Sequence, residues 1–418
     1  MTTAKTTIAG RLMVPAVRND EAADDAGGGS MCLRPGTLEI DSGQIVGIDF
    51  GRISRSVDVG SPDHWIIPGM VDCHLHLPQW DIVGAHGMPL LRWLHEVTFP
   101  AELRWDDPEF AAAMTDRAVD DLMSVGTTAI AAYATNHAES AAAAIEVATR
   151  RGMRGMIGQV LMDRDAPAGL LQSVEDQMEQ TAELIERFGR SSRVAAAVTP
   201  RFAVSCTGEL LSAAGTLAGD TESPVQTHLA ETAAECELVA ERFDGRRYVD
   251  VYRDTGLLTS RTIFGHGIHF DDSDRRQLAG AGCTIAHCPT ANDFLGAGVM
   301  NRQSIVGRGV GLALGSDIGA GFERSMVRVG RAMILAAAQR SGSVVAAAEA
   351  WWQITHGNAA VLGLEPWGPA VGQEANLLVV EPTLRSGGGP SDLSAAMFGW
   401  DDRWIRRTVI GDRVFDRR

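Results

Sequence analysis

Between Met70 and Asp317 the chain alternates short apolar runs with longer amphipathic stretches. The runs number eight: Met70 to His76, Thr127 to Tyr133, Met153 to Val160, Val194 to Val198, Pro224 to His228, Thr262 to His266, Thr284 to His287 and Val310 to Asp317. Parallel strands joined by crossover helices give this pattern, and eight such units close a (β/α)8 barrel, an α/β fold. Two of the helices are read at Pro108 to Met123 and Leu171 to Phe188, the second with Val174, Met178, Ala182 and Ile185 on one face. The connection from Leu77 to Trp105 is too long for a simple turn and carries Trp80, Trp93 and Phe99, so it is long enough for a lid over the barrel mouth. Trp80 and Trp93 suit either closure over a ligand or packing of the lid itself.

Strand-like texture also flanks the barrel. Thr6 to Val14, Gly36 to Ile40 and Gln44 to Phe50 precede it, and Asn376 to Val380 and Arg407 to Phe415 follow it. The expected organisation is a barrel over residues 67–368 with a small composite β-sandwich built from residues 1–66 and 369–418. The acidic, Gly-rich stretch Arg18 to Ser30 reads as a mobile surface loop.

Composition narrows the partners. With 45% apolar and 22% charged residues the 418-residue chain is of ordinary globular type, and no run approaches 18 apolar residues. The opening Met1 to Val17 lacks a signal-peptide pattern, so a cytoplasmic location is expected. Cys32, Cys73, Cys206, Cys236, Cys283 and Cys288 form no CxxC pair and read as reduced thiols. A formal charge of -16 excludes nucleic acid and anionic membrane as natural partners and favours a small neutral or cationic ligand.

The polar residues that could hold a metal sit where the runs end. In PGMVDCHLHLPQ, His74 and His76 are two residues apart on a strand and therefore share a face. His228 ends the fifth run in THLAE, His266 the sixth in GHG, and Asp317 the eighth in GSD. Each alone is as readily a hydrogen-bonded core histidine or a capping aspartate. Their joint placement on the C-terminal rim of a barrel points to a metal site. His74, His76, His228 and Asp317 make a nitrogen and oxygen set suited to zinc, with iron or another divalent ion also fitting, and such an ion brings the pKa of water towards neutrality. His266 would orient that water, and Glu231, just past the fifth strand, would shuttle protons; its bland alternative is a carboxylate at a helix N-terminus. Lys5 is the single lysine and lies on no barrel strand, so no carbamylated lysine can bridge two ions. A mononuclear site favours deamination.

In this order, PGMVDCHLH, HLAE, GHG, HCPTAN and GSD resemble the amidohydrolase superfamily. The insertion DCHLHLPQWDIVGAHGMPLLRWLHEVTFPAE, with GQVLMDRDAP, VTPRFAVSC and the C-terminal DDRWIRRTVIGDRVF, is similar to the guanine deaminases within it. The resemblance implies hydrolytic removal of the 2-amino group of guanine to give xanthine and ammonia, one zinc per subunit, no organic cofactor, and a homodimer. It also implies that Gln79, Arg201 and Phe202 bind the purine, with His228 and Glu231 beside it and Glu231, His266 and Asp317 serving the reaction. Rival readings are deamination of a pterin, an oxidised guanine or an aminotriazine, and a scaffold that has lost its metal. Asp293 stands where an apolar residue is expected in this family and would alter substrate choice if it faced the pocket. His86, His269 and His287 are read as structural.

Overall fold

The computed structural model describes residues 5–16, 29–51, 53, 56–383 and 390–417. Most of the loop expected from Arg18 to Ser30 lies outside the described residues. Four strands come first: β1 (Thr6–Pro15), β2 (Met31–Asp41), β3 (Gln44–Phe50) and β4 (Val59–Pro68). The eight barrel strands follow as β5 (Met70–His76), β6 (Thr127–Tyr133), β7 (Arg154–Gly158), β8 (Val194–Ala196), β9 (Val225–Leu229), β10 (Thr262–His266), β11 (Thr284–His287) and β12 (Gly311–Leu314). Every residue of β5 and β6 is buried, as a sheet covered on both faces requires.

The barrel strands pair in parallel in two sets, β5 to β8 and β9 to β12. Two seams join them. At the first, Val198 N donates to Pro224 O at 3.0 Å and Gln226 N to Val198 O at 3.1 Å. At the second, Asp317 N donates to His74 O at 2.7 Å and His76 N to Ile318 O at 3.3 Å, so candidate ligands on the first and last strands are also backbone partners.

Three strands are shorter than the sequence suggests. The third and fourth break and resume as Val160–Leu161 and Thr199–Pro200, which pair with each other. The eighth ends at Leu314 because a side chain takes over as its neighbour. Asn358 Nδ2 donates to Val71 O (2.7 Å) and Leu314 O (2.8 Å), while its Oδ1 accepts from Leu314 N (2.9 Å). One buried amide therefore stitches β5 to β12. Replacing it in Asn358→Ala leaves three backbone groups unsatisfied and is expected to cost about 3 kcal/mol in denaturant unfolding. A loss under about 1 kcal/mol would show that the seam does not depend on it.

The helices Pro108–Ser124 and Val174–Arg187 form where periodicity places them, each entered through a side-chain cap, Asp107 and Ser173. The buried stripe of the second differs from expectation. Gln177, Thr181 and Leu184 are innermost, and Val174, Met178, Ala182 and Ile185 flank them half-buried. Hydrogen bonding explains the two polar residues: Gln177 Oε1 accepts from Met162 N at 2.8 Å, and Thr181 Oγ1 donates to Gln159 Oε1 at 3.2 Å. An apolarity pattern does not register a polar side chain whose bonds are made inside.

The C-terminal strands β13 (Asn376–Val380), β14 (Ile405–Ile410) and β15 (Arg413–Asp416) join the N-terminal ones in one seven-stranded sheet, ordered β15-β14-β13-β4-β1-β2-β3. Only β1 and β4 run parallel within it. Ile8, Leu12, Leu38, Ile40, Ile66, Leu377 and Val409 form a core of their own, so the two layers of the expected sandwich are one continuous sheet curled over itself. The opposite face, through Met13, Met31, Trp65, Ile67 and Leu378, packs on the helices Met326–Ser341 and Ala347–Trp352. Strand β4 escapes a reading of alternation because its first half is GSPD. Among the described residues Cys73, Cys206, Cys236, Cys283 and Cys288 are free thiols, and no helix is long and apolar enough to cross a membrane.

Candidate metal centre and substrate pocket

At the C-terminal rim, His74 sits on the barrel axis side of β5 and is hemmed in by two glycines. A Cβ on Gly265 would lie 2.6 Å from His74 Cε1, and one on Gly315 would lie 2.5 Å from His74 Cβ. The glycines of GHG and GSD are thus space left for one imidazole. Gly265→Ala is expected to weaken divalent-metal binding about 10- to 100-fold in a metal titration. Unchanged affinity would mean the ring can shift freely. The residues that follow are backbone-strained, His266 at φ 71° and Asp317 at φ 50°, a left-handed conformation that non-glycine residues hold only when their surroundings demand it.

The donor atoms converge. Asp317 Oδ1 lies 3.4 Å from His74 Nε2 and 3.2 Å from His76 Nε2, and His76 Nε2 lies 3.1 Å from His228 Nε2. Ligands around a tetrahedral ion with bonds of about 2.0–2.1 Å stand about 3.3 Å apart, so the spacing is that of a metal cage. His74, His228, His266 and Asp317 each offer a ligand atom within 4.8 Å of the others. The buried His74 Nε2 has no hydrogen-bond partner among the described residues, and His228 Nδ1 donates to Arg201 O at 2.7 Å, which turns a bare Nε2 towards the same point. These residues fit a divalent ion.

Electrostatics favour the metal-binding protonation states. Burial lowers the pKa of His76 to about 4 and that of His228 well below the ordinary imidazole range, so both are neutral bases at neutral pH. Burial also works against the Asp317 charge, but the imidazoles of His74, His76 and His266 gathered around it hold its carboxyl well below the usual range.

His266 belongs to the same cluster as His74, His228 and Asp317, and it also meets Glu231. Its Nε2 is 3.8 Å from Asp317 Oδ2, on the far side of that carboxylate from the oxygen shared by His74 and His76, and 3.4 Å from Glu231 Oε2. Its Nδ1 meets Asn292 Oδ1 at 3.0 Å. Glu231 is buried, and desolvation together with the charges of Glu235 and Asp317 raises its pKa well above the carboxylate range. The capping alternative for Glu231 is taken by other residues. Helix Ala233–Arg242 is closed by a capping box of Thr232 and Glu235, and Glu231 Oε1 has no partner among the described residues.

Beside this cluster a narrow cavity is lined by His76, Gln79, Trp93, Leu94, Arg201, Phe202, His228, Glu231, His266 and Asp317. Every purine-contact residue read from the sequence is therefore in one place. The segment after β5 folds down as short helical turns, Leu77–Ile82, Leu90–Trp93 and Phe99–Glu102, and supplies Gln79, Leu90, Trp93 and Leu94 to the wall. Trp93 lines the pocket, whereas Trp80 packs in a separate cluster and donates to Asp121 Oδ2 at 2.8 Å. Asp293 is exposed and not among the lining residues. His86 is exposed against Phe294, and His269 Nε2 donates to Ala297 O at 3.0 Å. His287 is buried, and burial lowers its pKa to about 3.

Four participants are not singled out by the sequence alone. Asp72 Oδ1 accepts from His74 N (3.2 Å) and Ser316 N (3.0 Å), bracing the two ligand strands, and burial raises its pKa to about 6. Tyr133 lays its ring 4.6 Å from that of His76 and 4.8 Å from that of His228. Asn292, which sits in HCPTAN, orients His266, and Glu102, the last residue of TFPAE, forms a buried ion pair with Arg201. Asp72, in PGMVDCHLH, lies like the last two in a motif that stands out, but none of these motifs states the residue's role.

A model of the amidohydrolase family matches residues 65–415. The chain is 36% identical over 366 residues to guanine deaminase of Escherichia coli (strain K12), covering 84% of this chain and 83% of that one. The chain belongs to the amidohydrolase family, among its guanine deaminases. The human guanine deaminase is 30% identical over 84% of this chain and 83% of its own. Among solved structures, E. coli guanine deaminase superposes with a TM-score of 0.91 at 32% identity, over 99% of this chain and 100% of that one. Guanine deaminase from C. acetobutylicum, solved with guanine in its active site, superposes with a TM-score of 0.87 at 27% identity, over 99% and 100%. As an amidohydrolase, the chain carries the barrel with an added β domain that its sequence predicts.

Proposed function

We propose that the protein hydrolyses guanine to xanthine and ammonia, using one zinc ion per chain. The observation that carries this reading is the meeting, in one cavity, of the histidine–aspartate cluster, the buried Glu231 carboxyl and the Arg201–Gln79 pair. His74, His76, His228 and Asp317 are the ligands, and His266 is left out because it faces Glu231. The ion supplies a Lewis acid that lets water lose a proton at neutral pH.

The remaining roles belong to the protein. Arg201 and Gln79 hold the polar edge of the ring, and Phe202, which packs edge-on near His228, walls it in. Glu231, whose acid form burial favours, gives its proton to ring N3 and so makes C2 electrophilic. Water adds to C2 while His266 accepts a hydrogen bond from it. Glu231 takes up the proton that the water releases and passes it to the 2-amino nitrogen, which leaves as ammonia. Carbonyl formation at C2 returns the remaining hydroxyl proton to Glu231, which restores its acid form, and yields xanthine.

The test is ammonia release from guanine, 8-oxoguanine, pterin, isocytosine and aminotriazines with the purified protein. Guanine is expected to have the highest kcat/KM. If guanine is inert while another compound turns over, the substrate assignment is wrong. We also read the chain as a homodimer of a cytosolic purine-degrading enzyme, and light scattering on the purified protein giving a monomer mass would refute the dimer.

A further inference from the structure

The TFPAE segment has a job that its distance in sequence from the pocket conceals. Glu102 is 1% exposed, and both its oxygens lie 2.7 Å from Arg201 Nη1. Phe99, three residues earlier on the same short helix, lies under the Arg201 guanidinium, with Cζ 5.3 Å from the ring centre. Arg201 is thereby fixed in plane by a carboxylate and on one face by an aromatic ring. Both of its bonds to Glu102 run from Nη1. Gln79 is tied to the same anchor, its Nε2 donating to Glu102 Oε1 at 3.3 Å.

This second bond settles which way the amide faces. A carboxylate accepts and does not donate, so the NH2 of Gln79 must turn towards Glu102 and the carbonyl away from it. Gln79 is 2% exposed, and its Oε1 has no partner among the described residues. Gly319 makes room for that amide, since a Cβ there would lie 2.2 Å from Gln79 Oε1. The pocket edge therefore presents one donor, Arg201, and one acceptor, Gln79 Oε1, side by side.

We propose that Glu102 is a positioning residue that sets this polarity, so that the pocket selects rings with an N–H beside a C=O and rejects rings with an amino group in place of that carbonyl. The inference rests on the reading of the protein as a guanine hydrolase and names what makes the site choose. Guanine's N1–H and O6 match the pair. In 2,6-diaminopurine the same edge carries a bare nitrogen and an amino group, so acceptor faces acceptor and donor faces donor. Both rings carry the same 2-amino group, and only the edge differs.

The experiment compares guanine and 2,6-diaminopurine, by calorimetric binding and by ammonia release, in the zinc-loaded wild-type protein, Glu102→Gln and Glu102→Asp. The wild type is expected to prefer guanine by about 1,000-fold or more. In Glu102→Gln, whose amide can flip and release Gln79 to flip with it, guanine kcat/KM should fall about 10- to 100-fold, chiefly through KM. The preference should shrink at least about tenfold with metal content unchanged. A folded, metal-loaded Glu102→Gln that keeps the wild-type preference overturns the proposal. If Glu102→Gln does not fold, Glu102→Asp decides, because its shorter reach should raise the guanine KM about tenfold, and an unchanged KM overturns it. Guanine that binds with this preference but is not hydrolysed refutes the proposed reaction and leaves the role of Glu102 standing. Guanine that does not bind refutes both.

Discussion

Glu231→Gln is expected to lower kcat for guanine about 1,000-fold while bound metal, thermal stability and KM change little. The substitution preserves shape and removes only the transferable proton. Glu231 meets the cluster through His266, at 3.4 Å, a residue that is not among the assigned ligands, so the metal cage should survive the substitution. The pH profile makes the test specific. Desolvation, with the charges of Glu235 and Asp317, raises the Glu231 pKa, so the acid form that donates to N3 persists above the ordinary carboxylate range and is lost as pH rises through that elevated value. The wild type should show an alkaline limb in kcat that the variant lacks. A Gln variant with wild-type turnover would remove Glu231 from the chemistry. One that lost its metal would move it into the cage.

Removing the metal is expected to abolish turnover and to lower stability together. A site that binds only the folded chain contributes about 4 kcal/mol when free ligand exceeds its dissociation constant 1,000-fold, so dialysis against a chelator should lower Tm by several degrees. Zinc added back should restore both, and His228→Ala should make the loss permanent. Acid acts through the same residues. Protons and metal compete for the imidazoles, and since burial lowers the pKa of His76 to about 4 and that of His228 well below the ordinary range, competition should set in only at distinctly acid pH. Full activity in chelated protein with no detectable metal would sink the metal-dependent mechanism.

The sequence reveals the parts of this site whose chemistry and spacing coincide. His74 and His76 are legible because strand period two forces them to one face, and His228, His266 and Asp317 because each closes an apolar run. The residues behind them are harder to see. Asp72 and Tyr133 are one aspartate and one tyrosine in apolar runs, and nothing in period or composition says that one braces two strands and the other flanks three imidazoles. Asn358 lies 287 residues from Val71, whose carbonyl it satisfies, and such a bond is set by tertiary structure alone. The buried stripe of Val174–Arg187 is misplaced for a related reason, since Gln177 and Thr181 are interior by virtue of partners elsewhere in the chain. The substrate edge is intermediate. TFPAE marks the family, but only the fold brings Glu102 against Arg201.

The interleaved sheet bears on how the chain is made. Strand β4 runs straight into the strand of His74 and His76, and β1, its neighbour on one side, emerges from the ribosome before it. Its neighbour on the other side is β13, residues Asn376–Val380, which the ribosome supplies about three hundred residues later. Throughout synthesis of the barrel, therefore, β4 keeps one flank of unpaired amides and carbonyls open to any extended segment on a neighbouring nascent chain. Yield from cells should accordingly respond more to translation speed and chaperone supply than the stability of the finished protein would suggest.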